Sequence, residues 1–414
     1  MPVLISRNRN YRLLFSASGI SNLGDGISML AFPWLASLLT RDPFLIAAVA
    51  AAGRLPWLLF TAPAGVLTDR MDRGRLMVWS DVMRAVLTGC VILLILSVPQ
   101  IEAGASSVTV WALAALAFLL GMAEVVRDNA AQTALPSIVA KSDLENANGQ
   151  MWSLEQVMGQ FIGPPLAGVL IAYAVPLPFL FDSVSFALAA GLVACITFPA
   201  RAVPQITQSL WHDLRDGVRW LWGHRTILQL AVLLGCINAA STGYATLLIL
   251  YAQEVLWLDA FGYGMLMMLG AAGGVAGGLI GPVLVRRFGG QAMFLGTQVL
   301  FLAEPLAVWA TSSVVAVGAG MFVAMFAAVT YNVVTVSYRQ RMIPDAILGR
   351  VNSLYRLFGW GMMPVGILAG GALVSVVEPS MGREAALRFP FIVGAVMLFA
   401  LFCYSVARVR LRDT

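Results

Sequence analysis

The stretch "SNLGDGISMLAFPWL", residues 21–35, places one carboxylate, Asp25, inside an otherwise apolar helical run. A charge at the centre of a bilayer costs about 2.5–3.5 kcal/mol on insertion scales, and a proton removes most of that cost. Arg54, midway along the next apolar run, is the expected counter-ion. Such a carboxylate has two uses. It can form a static ion pair that joins two helices, or it can take up and release a proton during a working cycle. Other charges inside apolar runs are Asp81, Arg84, Glu124, Arg127, Asp128, Glu155, Glu304 and Arg356. Glu124 and Arg127, three residues apart on one helical face, are expected to pair. With Glu155 they offer a second proton site or an anchor for a cationic solute, whereas Glu304 reads as structural.

These groups sit in a chain of 414 residues that is 59% hydrophobic and 11% charged, against roughly 25% charged residues in an average soluble domain. A water-soluble protein could not cover that much apolar surface, so the chain is read as integral to a membrane. No cleavable leader is expected at "MPVLISRNRNYRLLF". Cys90, Cys195, Cys236 and Cys403 stand singly in apolar stretches, without metal spacing or a disulfide framework. No metal or cofactor is expected.

Twelve apolar runs of spanning length occur near residues 12–39, 44–67, 76–98, 108–131, 148–173, 177–198, 226–252, 260–285, 291–311, 313–337, 351–377 and 388–407. Basic residues gather in the even-numbered connections and at both ends, as with Arg7, Arg9, Arg73, Arg75, Arg286, Arg287, Arg339, Arg408 and Arg410. The odd-numbered connections hold only Arg41, Arg383 and Arg388. By the positive-inside rule both termini are cytoplasmic. The net charge of +5 is therefore a topology signal, and no nucleic-acid partner is expected. A linker at 199–225 separates two six-helix halves, 1–198 and 226–414. Its "SLWHDLRDGVRWLWGH" spaces Leu210, Leu214, Val218 and Leu221 for an amphipathic helix lying in the membrane interface, with Trp211 and Trp222 beside them. "QTALP" (132–136) and "QRMIP" (340–344) lie about half a chain length apart, each followed by an asparagine, Asn148 and Asn352. That fits a parallel repeat with a binding site between the halves.

Two stretches carry a family resemblance. "AGVLTDRMDRGRLM" (64–77) resembles the signature loop of the major facilitator superfamily, with Gly65, Asp69, Arg70, Arg73 and Arg75 in place. The resemblance implies an all-α fold of twelve membrane helices in two six-helix halves. It also implies a conformational switch in which Asp69 latches onto the start of the eleventh span near Val351 and Arg73 pairs with Asp128. The related stretch in the second half, "GPVLVRRFGG", lacks the acid. "GQFIGPPLAG" (159–168) resembles the family's antiporter signature through Gly159, Gly163, Pro164 and Gly168, with Ala167 replacing an expected glycine. Such a run supplies a close-packed, bendable helix. The family's fourth-span pattern of arginine, glutamine and glycine is not met, because Ala130 and Ala131 follow Arg127.

"IPDAILGRVNSLYR", "GVRWLWGH" and "DGISMLAFPWL" together resemble the subgroup of enterobactin exporters and macrolide or multidrug efflux proteins. The resemblance implies a secondary active exporter of amphipathic organic compounds (drugs, macrolides or siderophores) in a bacterial cytoplasmic membrane. Export would run by alternating access, in exchange for protons. Asp25, Arg54, Glu124 and Glu155 are the proton-coupling candidates. Asn22, Met29, Asn238, Tyr244, Tyr331 and Asn332, on the first, seventh and tenth spans, are the cavity candidates. The expected partners are a small amphipathic substrate, protons and the bilayer, and a monomer suffices. An ATP-driven pump is disfavoured, since the single lysine, Lys141, lies in no glycine-rich phosphate loop. A membrane enzyme is disfavoured too, with His212 and His224 the only histidines. A proton-coupled importer of a small nutrient or a membrane sensor remain as alternatives.

Overall fold

The computed structural model describes residues 4–98, 106–198 and 218–411, all built from helices and their connections. Helices are the expected answer in a bilayer, where each backbone N–H and C=O must find its partner within the segment. In chain order they are α1 (Leu4–Arg7), α2 (Arg9–Leu39), α3 (Pro43–Leu59), α4 (Thr61–Arg70), α5 (Arg73–Ser97), α6 (Ser107–Ile138), α7 (Leu144–Glu155), a π-helical segment (Gln156–Ile162), α8 (Gly163–Tyr173) and α9 (Leu177–Ala194). After the linker come α10 (Arg225–Ala245), α11 (Leu248–Glu254), α12 (Ala260–Phe288), α13 (Gly290–Leu300), α14 (Ala303–Ala310), α15 (Val314–Met342), α16 (Asp345–Met381) and α17 (Arg383–Arg408).

Each of the twelve predicted apolar runs is helical. Among the described residues, nine helical stretches are long and apolar enough to cross a membrane by length and composition alone. The count of twelve is not reproduced by that measure, and the three remaining runs show why. The first run carries Asp25 and several serines, which dilute its hydropathy. The second breaks at Phe60 into α3 and α4. The fifth is divided by the π segment. That segment has a covalent cause. Pro164 and Pro165 lack the N–H groups that the carbonyls of Gln160 and Phe161 would receive in a regular helix, so the turn before them widens.

Helix starts follow local chemistry. Asn8 accepts from the N–H of Tyr11 at 3.0 Å, Asp42 from Phe44 at 2.8 Å just before Pro43, and Asp72 from Arg75 at 2.8 Å. Each side chain satisfies a donor that a helix N-terminus leaves open. Gly382, at φ 78°, turns the chain between α16 and α17 in a conformation that side chains disfavour.

Two compact units result. The first comprises Met1–Gln205 with Leu258–Met268, and the second comprises Ile206–Trp257 with Leu269–Thr414. In the first, Tyr11 is fully buried and its hydroxyl donates to Gln150 Oε1 at 2.9 Å, tying α2 to α7. Asn8 donates to the carbonyl of Ile138 at 2.7 Å. In the second, Asn238 on α10 donates to the carbonyl of Gly359 on α16 at 2.8 Å. At one end of that unit Arg383 bonds both Glu254, at 2.8 and 3.0 Å, and Glu378, at 3.0 Å. Nearby, Arg388 donates to the carbonyls of Val308, Trp309 and Thr311, capping α14, and to Glu384 at 2.9 Å.

The linker expectation lies almost wholly outside the described residues, which resume with a helical turn at 218–223. There Leu221 is buried, Trp222 is exposed, and the Trp220 ring stacks on His224 at 3.7 Å.

Candidate functional site

A polar stripe runs along one face of α2. Ser18, Ser21, Asp25 and Ser28 recur at intervals of three or four residues, the spacing that stacks side chains on a helix. Each member meets a polar or charged group on a neighbouring helix. Arg127 of α6 donates to Ser18 Oγ at 3.3 Å. Arg84 of α5 donates to Ser21 Oγ at 3.1 Å and forms a close ion pair with Asp25. Ser28 donates a short hydrogen bond to Asp182 of α9.

Asp81 lies one turn before Arg84 on α5. It is wholly buried, with Arg127 Nε at 3.5 Å and Arg84 Nη1 at 3.7 Å. Arg127 also stands 3.7 Å from Asp128. The guanidinium of Arg84 rests over the Phe186 ring at 3.8 Å, a contact that suits a delocalised cation with few waters around it. Thus α2, α5, α6 and α9 bring five carboxyl groups (Asp25, Asp81, Glu124, Asp128 and Asp182) around two guanidinium groups, Arg84 and Arg127. The side chains of Asp25 and Asp128 are 30% and 34% exposed, while that of Arg84 is 3% exposed. One rim of the cluster is therefore accessible and its floor is closed.

This geometry corrects several sequence readings. The partner of Asp25 is Arg84, because α2 turns this face toward α5 and α9; Arg54 on α3 is exposed. Arg127 faces Asp81 and Ser18, and Glu124, although three residues away, is not its ion-pair partner. Glu155 is exposed at the end of α7, and the charges of Asp128, Asp25 and Arg127 all act on it. Asp182 went unremarked in the sequence. Its signal is a lone acid in the sixth apolar run, "FLFDSVSFALAAG", facing the Ser28 position of the α2 stripe.

In the signature loop, the side chains of Asp69 and Arg70 lie outside the described residues, as do those of Asn352 and Arg356. Arg73 donates to the carbonyl of Thr133 on α6, five residues beyond Asp128. Arg75 is exposed. Asp72, between the predicted residues, caps α5. Among the described residues, a methyl group on Gly65 would meet nothing within 4 Å.

The antiporter stretch is packed against α2 beside Asp25. A Cβ on Gly26 would strike the backbone of Gly159, and one on Gly163 would come within 2.6 Å of the Gly26 backbone. A Cβ on Gly168 would lie 2.5 Å from the carbonyl oxygen of Ala260. Only residues without side chains allow the two backbones this approach.

The cavity candidates divide. Asn22 and Met29 are half-buried on α2 and Asn332 is exposed on α15. Tyr244 is 2% exposed, packed 5.1 Å from the Phe391 ring, and Tyr331 is 1% exposed between Phe294 and Phe301. Both tyrosines fill helix–helix grooves and present no surface to a solute. The amide of Asn238 is committed to the α16 backbone.

Comparison with known proteins agrees with this architecture. The chain is 25% identical over 419 residues to the multidrug efflux pump Tap of Mycolicibacterium fortuitum, covering 97% of this chain and 96% of that protein. It is 24% identical over 360 residues to the staphyloferrin A transporter of Staphylococcus aureus, covering 86% and 87%. Among solved structures it resembles a bacterial homologue of the iron transporter ferroportin in its inward-facing state, with TM-score 0.72, 21% identity and coverage of 95% and 98%. It also resembles a mutant form of the nucleoside transporter NupG, with TM-score 0.76, 14% identity and coverage of 96% and 99%. The model of the transmembrane secretion effector family matches residues 5–414. The chain is therefore a multi-pass membrane transporter of the major facilitator superfamily and belongs to its transmembrane secretion effector family.

Proposed function

We propose that this protein exports amphipathic organic compounds across a bacterial cytoplasmic membrane in exchange for protons, by alternating access, with Asp25 as the group that loads and releases the proton. The observation that carries the reading is the charge balance of the α2–α5–α6–α9 cluster. Five carboxyl groups surround two guanidinium groups in a largely apolar setting. Fully ionised, they leave uncompensated negative charge where water is scarce, and proton binding is the available way to neutralise it. Asp25 combines partial exposure with an ion pair to a buried cation. It can therefore exchange protons with solvent and report the change to the packed interior. Glu124, Asp128 and Glu155 flank it as secondary sites.

The substrate class rests on the names of relatives, a multidrug efflux pump and a siderophore transporter. Of the cavity candidates, half-buried Asn22 and Met29 and exposed Asn332 leave amide and thioether surface for such solutes. The arginine distribution supports cytoplasmic termini, and a monomer suffices for the cycle.

The test is accumulation of a fluorescent cationic dye and a labelled macrolide in drug-sensitive bacteria. Cells carry the wild-type protein, Asp25→Asn or an empty vector, each with and without a proton uncoupler. The wild type is expected to lower accumulation, the uncoupler to abolish that effect, and Asp25→Asn to match the empty vector at equal protein level. Normal export by Asp25→Asn would remove Asp25 from the mechanism, and raised accumulation in the wild type would reverse the direction of transport.

A further inference from the structure

Proton exchange at Asp25 raises a problem that the cluster itself resolves. The side chain of Arg84 is 3% exposed and bonded to Asp25. A neutral Asp25 would leave this buried guanidinium without its hydrogen-bonded carboxylate, an unfavourable state for a desolvated charged donor. Asp81 lies in reach. Its nearer carboxylate oxygen is 3.7 Å from Arg84 Nη1 and 3.5 Å from Arg127 Nε, yet neither of its oxygens accepts a hydrogen bond among the described residues. Arg84 is held in position by Ser21 and by the Phe186 ring, so a small turn of its guanidinium closes the remaining gap to an ordinary hydrogen-bond length of about 2.9 Å.

We propose that Asp81 is a positioning residue for transport: Arg84 passes from Asp25 to Asp81 when Asp25 takes a proton and returns when the proton leaves. The step balances. One proton from solvent adds to a carboxylate oxygen of Asp25, the hydrogen bond from Arg84 to that oxygen breaks, and a hydrogen bond from Arg84 to Asp81 forms. Arg84 keeps all its protons. The other charged groups facing the pair are Glu124, Arg127 and Asp128 on α6, Asp182 on α9 and Glu155 on α7, with Arg54 of α3 acting on Glu124. Of these Arg127 touches Asp81, and it stays there throughout. The exchange has a mechanical result. In one state Arg84 ties α2 to α5 through Asp25, and in the other it pairs within α5, leaving Ser21 as its remaining bond to α2.

The inference rests on the proton-coupled reading above, and two experiments separate the two. The first is a structure of the Asp25→Asn protein, whose side chain mimics the protonated acid. Arg84 is expected within hydrogen-bond distance of Asp81, and an Arg84 still directed at residue 25 would overturn the exchange whatever the driving force of transport. The second is the pH profile of dye efflux in wild type, Asp81→Asn and Asp81→Glu. Without an alternative acceptor Arg84 leaves Asp25 only at higher proton concentration. The Asp81→Asn profile is therefore expected to move toward acid by about one pH unit, a tenfold change in proton concentration. Asp81→Glu, which restores a carboxylate, is expected to keep the wild-type profile. An unshifted Asp81→Asn profile sinks the exchange while leaving proton coupling intact. Uncoupler-insensitive efflux by wild type sinks proton coupling, and the Asp25→Asn structure then still decides where Arg84 goes. The same structure decides the matter if Asp81→Asn fails to accumulate.

Discussion

Within the charged cluster Asp182 is the carboxyl with the fewest ties to a cation. One of its oxygens accepts from Ser28, and the other, facing the backbone at Gly24, has no hydrogen-bond partner among the described residues. Among the described residues it makes no ion pair. An amide of the same shape keeps the bond to Ser28, so Asp182→Asn is expected to change stability by about 1 kcal/mol or less. Asp182→Leu deprives Ser28 of its acceptor and is expected to cost more, about 1–3 kcal/mol. Thermal unfolding of the purified protein in detergent checks both values. A drop for the Asn variant as large as that for Leu would mean that Asp182 works as a charged partner. At this scale the sequence is uneven in what it discloses. Asp25 stands out because carboxylates are rare in apolar helices, and the serine stripe can be read from its spacing. The pairing with Arg84 cannot, because Arg54 and Arg84 are equally plausible until the packing of α2 against α5 and α9 is known.

The helices themselves were legible, since twelve apolar runs separated by charge and Gly/Pro clusters admit little else in a bilayer. Their interruptions were not. The break at Phe60 and the π segment at Gln156–Ile162 depend on how neighbouring carbonyls find donors, and hydropathy does not record that. Glycines divide in the same way. Gly26 and Gly163 sit at a backbone contact between α2 and the fifth run, whereas Gly65 has no such contact among the described residues. Gly163→Ala or Gly26→Val is expected to lower the yield of folded protein and its melting temperature, by an amount typical of an overpacked core, about 1–3 kcal/mol. Gly65→Ala is expected to fold at least as well as wild type, since alanine favours a helix by about 0.5–1 kcal/mol over glycine. Size-exclusion profiles with melting curves measure the contrast. A failure of Gly65→Ala to transport while folding normally would mark a contact made only in another conformation.

For the whole molecule, the arginine distribution makes the orientation testable. A fluorescent-protein fusion at the C-terminus is expected to fluoresce, and an alkaline phosphatase fusion at the same point to be inactive. The reverse pair of results would invert the topology. Two of the three arginines that depart from the positive-inside pattern, Arg383 and Arg388, are held by partners in the structure. Arg383 is held by Glu254 and Glu378, and Arg388 is held by Glu384 and the carbonyls that end α14. A guanidinium so engaged has few donors left for a lipid phosphate. Anionic lipid is thus expected to collect around the arginine-rich end of the protein and to be sparse at the end where Arg383 and Arg388 lie, giving the two leaflets different annular compositions. Neutralising Glu254 and Glu378 together would take both carboxylate partners from Arg383 and favour a headgroup there, which native mass spectrometry of the lipid-bound protein would register as retained phosphatidylglycerol.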